Sequence, residues 1–463
     1  MDLAPRRSRP TTDAVSLGDA VGVWARIAAL SFGGPAAQIA LMHRVLVEEK
    51  RWLGERRFLH ALNYCMLLPG PEAQQLAIYI GWLMHGVRGG LIAGSLFVLP
   101  GMIAIMGLSI LYATLGHVSI AAGLFFGLKA AVLVIVAQAV QRVGRRALRN
   151  GAMLAIAAGA FIALFVFRLP FPLVVLAAGG IGFVGGRMGM AGFLTAGGHG
   201  ALAANSVADR DTVLGEESPN HARPTLRWSL VVCGTLLGLW LGPVLACGLG
   251  LGWGNVFSQI GLFFSKMALV TFGGAYAVLA YVAQEAVQTY EWLKPGEMLD
   301  GLGLAETTPG PLIMVNQFVG FLGAYRHACG MNPLVAGVLG GLLTTWVTFT
   351  PCFLWIFLGA PFAERLREAR ALNAALAAIG AAVVGVIFNL ALWFGLHTLF
   401  ARTVPVLGID LPHAASLNLT AAAMTLAAAV AVFRFKLGVL PLLAAASGIG
   451  MLIYGLAPHL VGR

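Results

Sequence analysis

The sequence predicts an all-α polytopic membrane protein: two inverted-topology repeats whose helices are broken or re-entrant at Gly/Pro motifs. Three observations carry that expectation. Apolar stretches close to the roughly 20 residues that cross a bilayer recur from Leu91 almost to the C-terminus. A set of short motifs occurs twice at constant spacing. Corresponding loops of the two copies carry opposite charge bias.

Composition supports the first observation. Of 463 residues, 59% are hydrophobic and 11% charged, with a mean hydropathy of +0.85. A water-soluble chain with so few charges would have a surface too apolar to stay dissolved, which excludes that class. The 60 glycines suit close helix packing and helix breaks in lipid. A formal charge of +11 does not mark a nucleic-acid binder here, because Arg and Lys fall mostly in short loops, where they direct insertion. The five cysteines (Cys65, Cys233, Cys247, Cys329 and Cys352) have apolar surroundings and no metal-ligand spacing. They read as buried, unpaired thiols.

The repeat is explicit. Phe32-Gly33-Gly34 recurs as Phe272-Gly273-Gly274, Trp52-Leu53 as Trp292-Leu293, and Pro69-Gly70-Pro71 as Pro309-Gly310-Pro311, each pair 240 residues apart. Residues 32–71 and 272–311 share 13 identities in 40 positions without a gap. Further on the offset is 251, so that Pro100 pairs with Pro351 and Ala130-Ala131-Val132 with Ala381-Ala382-Val383. An insertion of 11 residues around 324–341 explains the change.

Taken in order, residues 1–14 form a basic tail, expected on the cytoplasmic side. Arg26 interrupts the apolar stretch that follows, so no cleaved signal peptide is expected. The first repeat covers 15–187. A helix from Val15 to Leu30 would be about 24 Å long, short of the roughly 30 Å hydrocarbon core. Segments 15–43 and 52–84 therefore read as re-entrant hairpins, with tilted full crossings as the alternative. Residues 188–227 read as a cytoplasmic linker and 228–252 as a linking transmembrane helix, which supplies the odd crossing that inverted copies need. The second repeat is 253–463. The loop at 44–57 holds Arg44, Lys50, Arg51, Arg56 and Arg57 against three glutamates, whereas its counterpart at 284–297 holds Lys294 against three acids. The bias also reverses at Arg142, Arg145, Arg146 and Arg149, whose counterpart loop holds only Arg402. The positive-inside rule then puts the N-terminus in the cytoplasm and the C-terminus outside.

The Gly/Pro motifs have the grammar of helix starts, glycine followed by proline in the first turn. A helix that begins inside the membrane aims unsatisfied N–H groups and a positive dipole end at one spot, which suits an anion. Gly33, Gly34 and Gly70, with Gly273, Gly274 and Gly310 in the second copy, are the candidate backbone positions; simple kinks are the alternative. Arg26 and Lys266, 240 apart, and Lys129 are cations within apolar segments, where they either serve a site or snorkel. Ser31 and Thr271 are repeat-related hydroxyls. Gln38, Gln74, Gln75, Thr307, Thr308 and Asn316 are further candidate donors. Glu72 and Glu306 beside the Pro-Gly-Pro motifs, together with the repeat mates His60 and Asp300, suggest either proton coupling or ion pairing.

Ser31 to Pro35 (SFGGP), Leu67 to Gln75 (LLPGPEAQQ), Tyr79-Ile80-Gly81, Phe97 to Gly101 (FVLPG) and Thr308 to Pro311 (TPGP) resemble the signature motifs of the chromate ion transporter family. The similarity runs through most of both halves, as in its long-chain, two-domain form. The resemblance implies efflux of chromate across the bacterial inner membrane, driven by the membrane potential or a proton gradient and conferring chromate resistance, with sulfate as a structural analogue. The motifs specify the family better than the substrate, so another oxyanion remains the alternative, as does a channel-like uniporter. An intramembrane enzyme would need a metal-ligand spacing or a nucleophile–base pair, and neither is found in the sequence. No cofactor or metal is expected. The expected partners are the lipid bilayer and the anion, with no nucleic acid, and a homodimer stays open.

Overall fold

The computed structural model describes residues 15–115, 119–193, 207–215, 225–272, 275–294, 296–360, 370–406 and 409–456. The first repeat comprises α1 (Leu17–Leu30), α2 (Gly34–His43), α3 (Glu55–Cys65), α4 (Glu72–Leu115), α5 (Ser119–Ala147), α6 (Gly151–Phe165) and α7 (Phe171–Arg187). After the linking α8 (Leu226–Leu251), the second comprises α9 (Val256–Val270), α10 (Ala275–Gln288), α11 (Glu297–Thr307), α12 (Val315–Arg326), α13 (Pro333–Gly359), α14 (Arg370–Leu399), α15 (Leu419–Phe433) and α16 (Val439–Leu456). A short antiparallel ribbon, Thr403–Val406 with Ile409–Pro412, interrupts the second repeat. Among the described residues, six helices (α4, α5, α8, α13, α14 and α16) are long and apolar enough to cross a membrane, and the chain is a multi-pass membrane protein.

α1 and α9, with 14 and 15 residues, reach only about 21–23 Å and stop short of a full crossing. α1 ends at buried Ser31, and the chain turns through Gly33 and Gly34, whose φ values of +82° and +78° favour glycine. Pro35 then sits in the first turn of α2. α4 is a hairpin. It folds back at His85 and Gly86, and its arms, 72–84 and 87–115, lie so close that a Cβ on Gly81 would strike the Gly89 carbonyl and one on Gly89 the Gly81 carbonyl. The short arm thus starts at depth and returns to the face where α1 begins, where His85 Nε2 lies 2.9 Å from the Val15 carbonyl. In the second repeat the same turn is opened out between α12 and α13, which is where the 11-residue insertion falls.

Backbone details repeat with the sequence. Arg51 and Glu291 both have positive φ, as do Gly70 and Gly310. Past the ribbon the offset becomes 268: Asn150 and Asn418 cap α6 and α15 in the same way, and Arg168 and Lys436 both have positive φ. The mates α5 and α14 pack side by side, with Gly144 next to Val384 and Leu133 next to Gly395. Each contact is the image of the other at offset 251, and the order of the residues makes the two helices antiparallel. A two-fold axis that sets mates antiparallel lies in the membrane plane, the geometry of inverted repeats.

Small residues bring the outer helices in. Backbones of α5 and α16 touch at Gly123–Gly450 and Gly127–Ala446, and those of α7 and α14 touch at Gly182–Ala374, the image of the first contact. Without a hydrophobic drive between helices in lipid, such close approach supplies the packing energy. Part of the stretch 188–227 docks on the first repeat. In its described part, the Glu55 N–H donates to the Val207 carbonyl at 3.1 Å and the Leu214 N–H to the Trp52 carbonyl at 3.0 Å. Arg56 Nε reaches Asp209 at 3.1 Å.

Cysteines placed singly in the loops 44–57 and 284–297 are expected to react with an impermeant thiol reagent from opposite sides of the membrane, the second from outside the cell. Labelling of both from one side would exclude the inversion.

Candidate functional site

The two Gly/Pro breaks meet and satisfy each other. The Gly310 N–H donates to the Ser31 carbonyl at 2.8 Å, and the Gly70 N–H donates to the Thr271 carbonyl at 2.7 Å. These bonds are images of one another at offset 240, and each joins one repeat to the other. Gln38 Nε2 reinforces the first, donating to the Gly310 carbonyl at 2.5 Å and the Ser31 carbonyl at 3.3 Å. The long helices close on the crossover in the same reciprocal way: Gly101 packs on Pro309 and Gly310, and its mate Cys352 packs on Gly70. Pro100 and Pro351 lie inside those helices, one residue before these contacts. Each removes an intrahelical bond and frees a carbonyl near the crossover.

The sequence-predicted residues fall into three groups. Those of the first group spend their donors on the fold. Ser31 and Thr271 donate to the Ile27 and Met267 carbonyls (2.7 and 2.6 Å), and Thr307 and Thr308 donate to Leu304 and Ala305 (2.8 and 3.0 Å). Gln75 Nε2 donates to the Pro69 carbonyl at 2.7 Å, and with Gln38 it clamps the breaks.

The second group keeps its donors. Gln74, 0% exposed, and Asn316, 1% exposed, each have an amide with neither atom partnered. Gln74 lies in the first turn of the 72–84 arm and Asn316 in the first turn of α12, the two helices that begin at the crossover. Thr348, which sequence reasoning missed, adds a buried hydroxyl without a partner one turn from Cys352. A buried amide left unpaired costs roughly 1–3 kcal/mol, so each of these groups calls for a hydrogen-bonding occupant.

The third group, the cations, stands away. Arg26 and Lys266 lie on exposed faces of α1 and α9, and Arg26 pairs with Glu49 at 3.1 Å. Lys129 pairs with Asp300 at 3.4 Å. Gly273 and Gly274 lie outside the described residues. Of the two acids, Glu306 is buried and accepts a hydrogen bond from Tyr276 at 2.5 Å, while Glu72 is half-buried at the start of its helix. Arg142 of α5 lies within electrostatic reach of Glu306, and Arg146 lies within that of Glu72. No group of three or more His, Cys, Asp or Glu suited to a metal ion occurs among the described residues.

The sequence profile of the family described as "Chromate transporter" matches residues 19–183 and again 258–452, one match in each repeat. A "Chromate transport protein" of Pseudomonas aeruginosa is 32% identical over 363 residues, covering 77% of this chain and 76% of that protein. One of Cupriavidus metallidurans is 27% identical over 377 residues, covering 81% and 82%. A "Probable chromate transport protein" of Synechococcus elongatus is 27% identical over 356 residues, covering 76% and 78%. No solved structure matches this chain.

Gly70 and Gly310 hold φ values of +121° and +104°, and a Cβ on Gly70 would come within 3.0 Å of Cys352 Sγ. Gly70→Ala and Gly310→Ala are expected to destabilise the fold by about 1–3 kcal/mol each, read as a lower Tm of the purified protein, and to stop transport. Gly107→Ala, with open space around it, should leave Tm unchanged.

Proposed function

The chain belongs to the chromate transporter family, and from that premise we propose that it exports chromate from the cytoplasm across the bacterial inner membrane, through the crossover of its two halves. The observation that carries this reading is the pair of buried, unpartnered amides of Gln74 and Asn316 at the starts of two repeat-related helices. Chromate is a tetrahedral dianion with acceptor oxygens in four directions, so donors arriving from both halves suit it. The first N–H groups of the 72–84 arm and of the Leu312–Arg326 stretch add directional donors and positive dipole ends. Thr348 adds a hydroxyl.

Neutral donors suit a carrier, because cargo held by full charges at contact distance would be slow to leave. Arg142 and Arg146 act from further off, balancing the carboxylates and drawing the anion toward the crossover. Arg26 and Lys266 supply attraction at the surface and no direct contact. The loops rich in Arg and Lys face the cytoplasm in this reading, with the N-terminus inside and the C-terminus outside. A dianion leaving a negative-inside cell gains about 4.6 kcal/mol per 100 mV, roughly three powers of ten in gradient. The membrane potential alone therefore suffices for export and for chromate resistance. Glu72 and Glu306 are the acids at the crossover where a proton could be exchanged against the anion.

The test is chromate affinity of purified protein, with sulfate and molybdate as competitors. Gln74→Leu and Asn316→Leu should each weaken binding by about 1.5–3 kcal/mol, the worth of a hydrogen bond to a charged group. Arg26→Gln should bind within a few-fold of wild type. Wild-type affinity in both leucine variants would remove the site from the crossover. Tighter binding of sulfate than of chromate would change the cargo but not the route.

A further inference from the structure

α11 carries a second buried carboxylate, nearly two turns before Glu306, that the proposed anion site does not use. Asp300 is 3% exposed. Its Oδ2 accepts a hydrogen bond from the Tyr112 hydroxyl on α4 at 3.0 Å and lies 3.4 Å from Lys129 Nζ on α5. Its Oδ1 is buried without a hydrogen-bond partner.

The charges around it are few. Glu297, one turn earlier on α11, is held by both guanidinium nitrogens of Arg326 on α12, at 2.7 Å each. α16 also packs on α11; it has no charged residue, and Tyr454 is its one titratable group. The turn Leu312–Met314 is apolar. Asp300 is therefore balanced by Lys129, with Tyr112 as its hydrogen-bond donor.

Two features separate this triad from ordinary packing. It ties α4 and α5 of the first repeat to α11 of the second, so it spans the two bodies that must move relative to each other in a carrier. It also breaks the repeat: the mate of Asp300 is His60 and the mate of Lys129 is Gly380. The internal symmetry of the fold therefore does not by itself account for the pair.

We infer that Asp300 is a proton-binding site that controls Lys129 and the contact between the halves; this rests on the transport reading above. With Asp300 ionised, the pair locks α5 to α11. A proton taken up from the outer side neutralises the carboxylate and leaves the ammonium without a counter-ion. Lys129, whose side chain keeps 30% exposure, then swings away from Asp300, and the latch opens. Return of the proton to the cytoplasm re-forms the pair. One proton moves inward per cycle, with no bond to the anion made or broken.

The experiment uses the full-length protein in two formats: chromate binding to the purified protein, and chromate-linked proton movement in proteoliposomes followed with a pH-sensitive dye. Asp300→Asn should bind chromate within about threefold of wild type, lose chromate-linked proton movement and show a flat pH profile of transport, and Asp300→Glu should restore both. Tyr112→Phe, a milder change, removes one donor to the carboxylate and should move the pH midpoint of transport up by about 1–2 units. Wild-type proton movement in Asp300→Asn, or an unmoved midpoint in Tyr112→Phe, overturns the inference, as does a wild-type protein that moves chromate without protons. Absence of chromate binding and transport in the wild type would instead sink the transport reading.

Discussion

A helix that stops in the middle of a bilayer leaves backbone N–H and C=O groups where no water can reach them, at several kcal/mol each in hydrocarbon. Here each half supplies the partner for the other. The Ser31 carbonyl accepts from Gly310 and the Thr271 carbonyl from Gly70, so two unfavourable chain breaks become one satisfied crossover. Irregular backbone is tolerated at membrane depth only where protein surrounds it, and here α4 and α13 do so, with Gly101 and Cys352 against the turns. The amides of Gln38 and Gln75 complete the clamp. Beside this clamp the buried amides of Gln74 and Asn316 keep no hydrogen-bond partner.

The rest of the molecule holds those turns in register. Close backbone contacts of α5 with α16 and of α7 with α14 form two equivalent flanks, and α5 and α14 meet along the pseudo-two-fold axis. Within this symmetric frame the charged groups are placed asymmetrically. Tyr276 with Glu306, and Lys129 with Asp300, have no counterpart pair in the other half. The backbone frame follows the symmetry, and these charged pairs depart from it.

Much of this was legible in the sequence because the breaks repeat. The constant 240-residue spacing identified both pairs of turns, and glycine before proline identified helix starts such as α2. The apolar run after the polar stretch forms one helix, Leu226–Leu251. What was not legible depends on which way a side chain turns. Ser31 and Thr271 look like ligands by type, yet each hydroxyl goes back to the carbonyl four residues earlier, the local alternative open to any helical Ser or Thr. Gln74 and Gln75 are adjacent and identical, but about 100° of helix rotation sends one to the Pro69 carbonyl and leaves the other free. Lys129 was recognisable as a costly charge, but its partner lies 171 residues away on a helix of the other repeat, and only tertiary structure brings the two together. Arg26 lies off the buried stripe of Ala20, Trp24, Ile27 and Ala28, a face hard to single out where nearly every neighbour is apolar.

The reciprocal bonds also set a schedule for biogenesis. The N–H of Gly70 waits for the carbonyl of Thr271, about 200 residues later in the chain. At roughly 5–20 residues per second, a ribosome needs about 10–40 s to supply it. Throughout that interval the first half stands in or beside the insertion machinery with its break unsatisfied, and the residues that dock on its 50–57 loop arrive late as well. Only the completed second half supplies the partners that satisfy the break in the first.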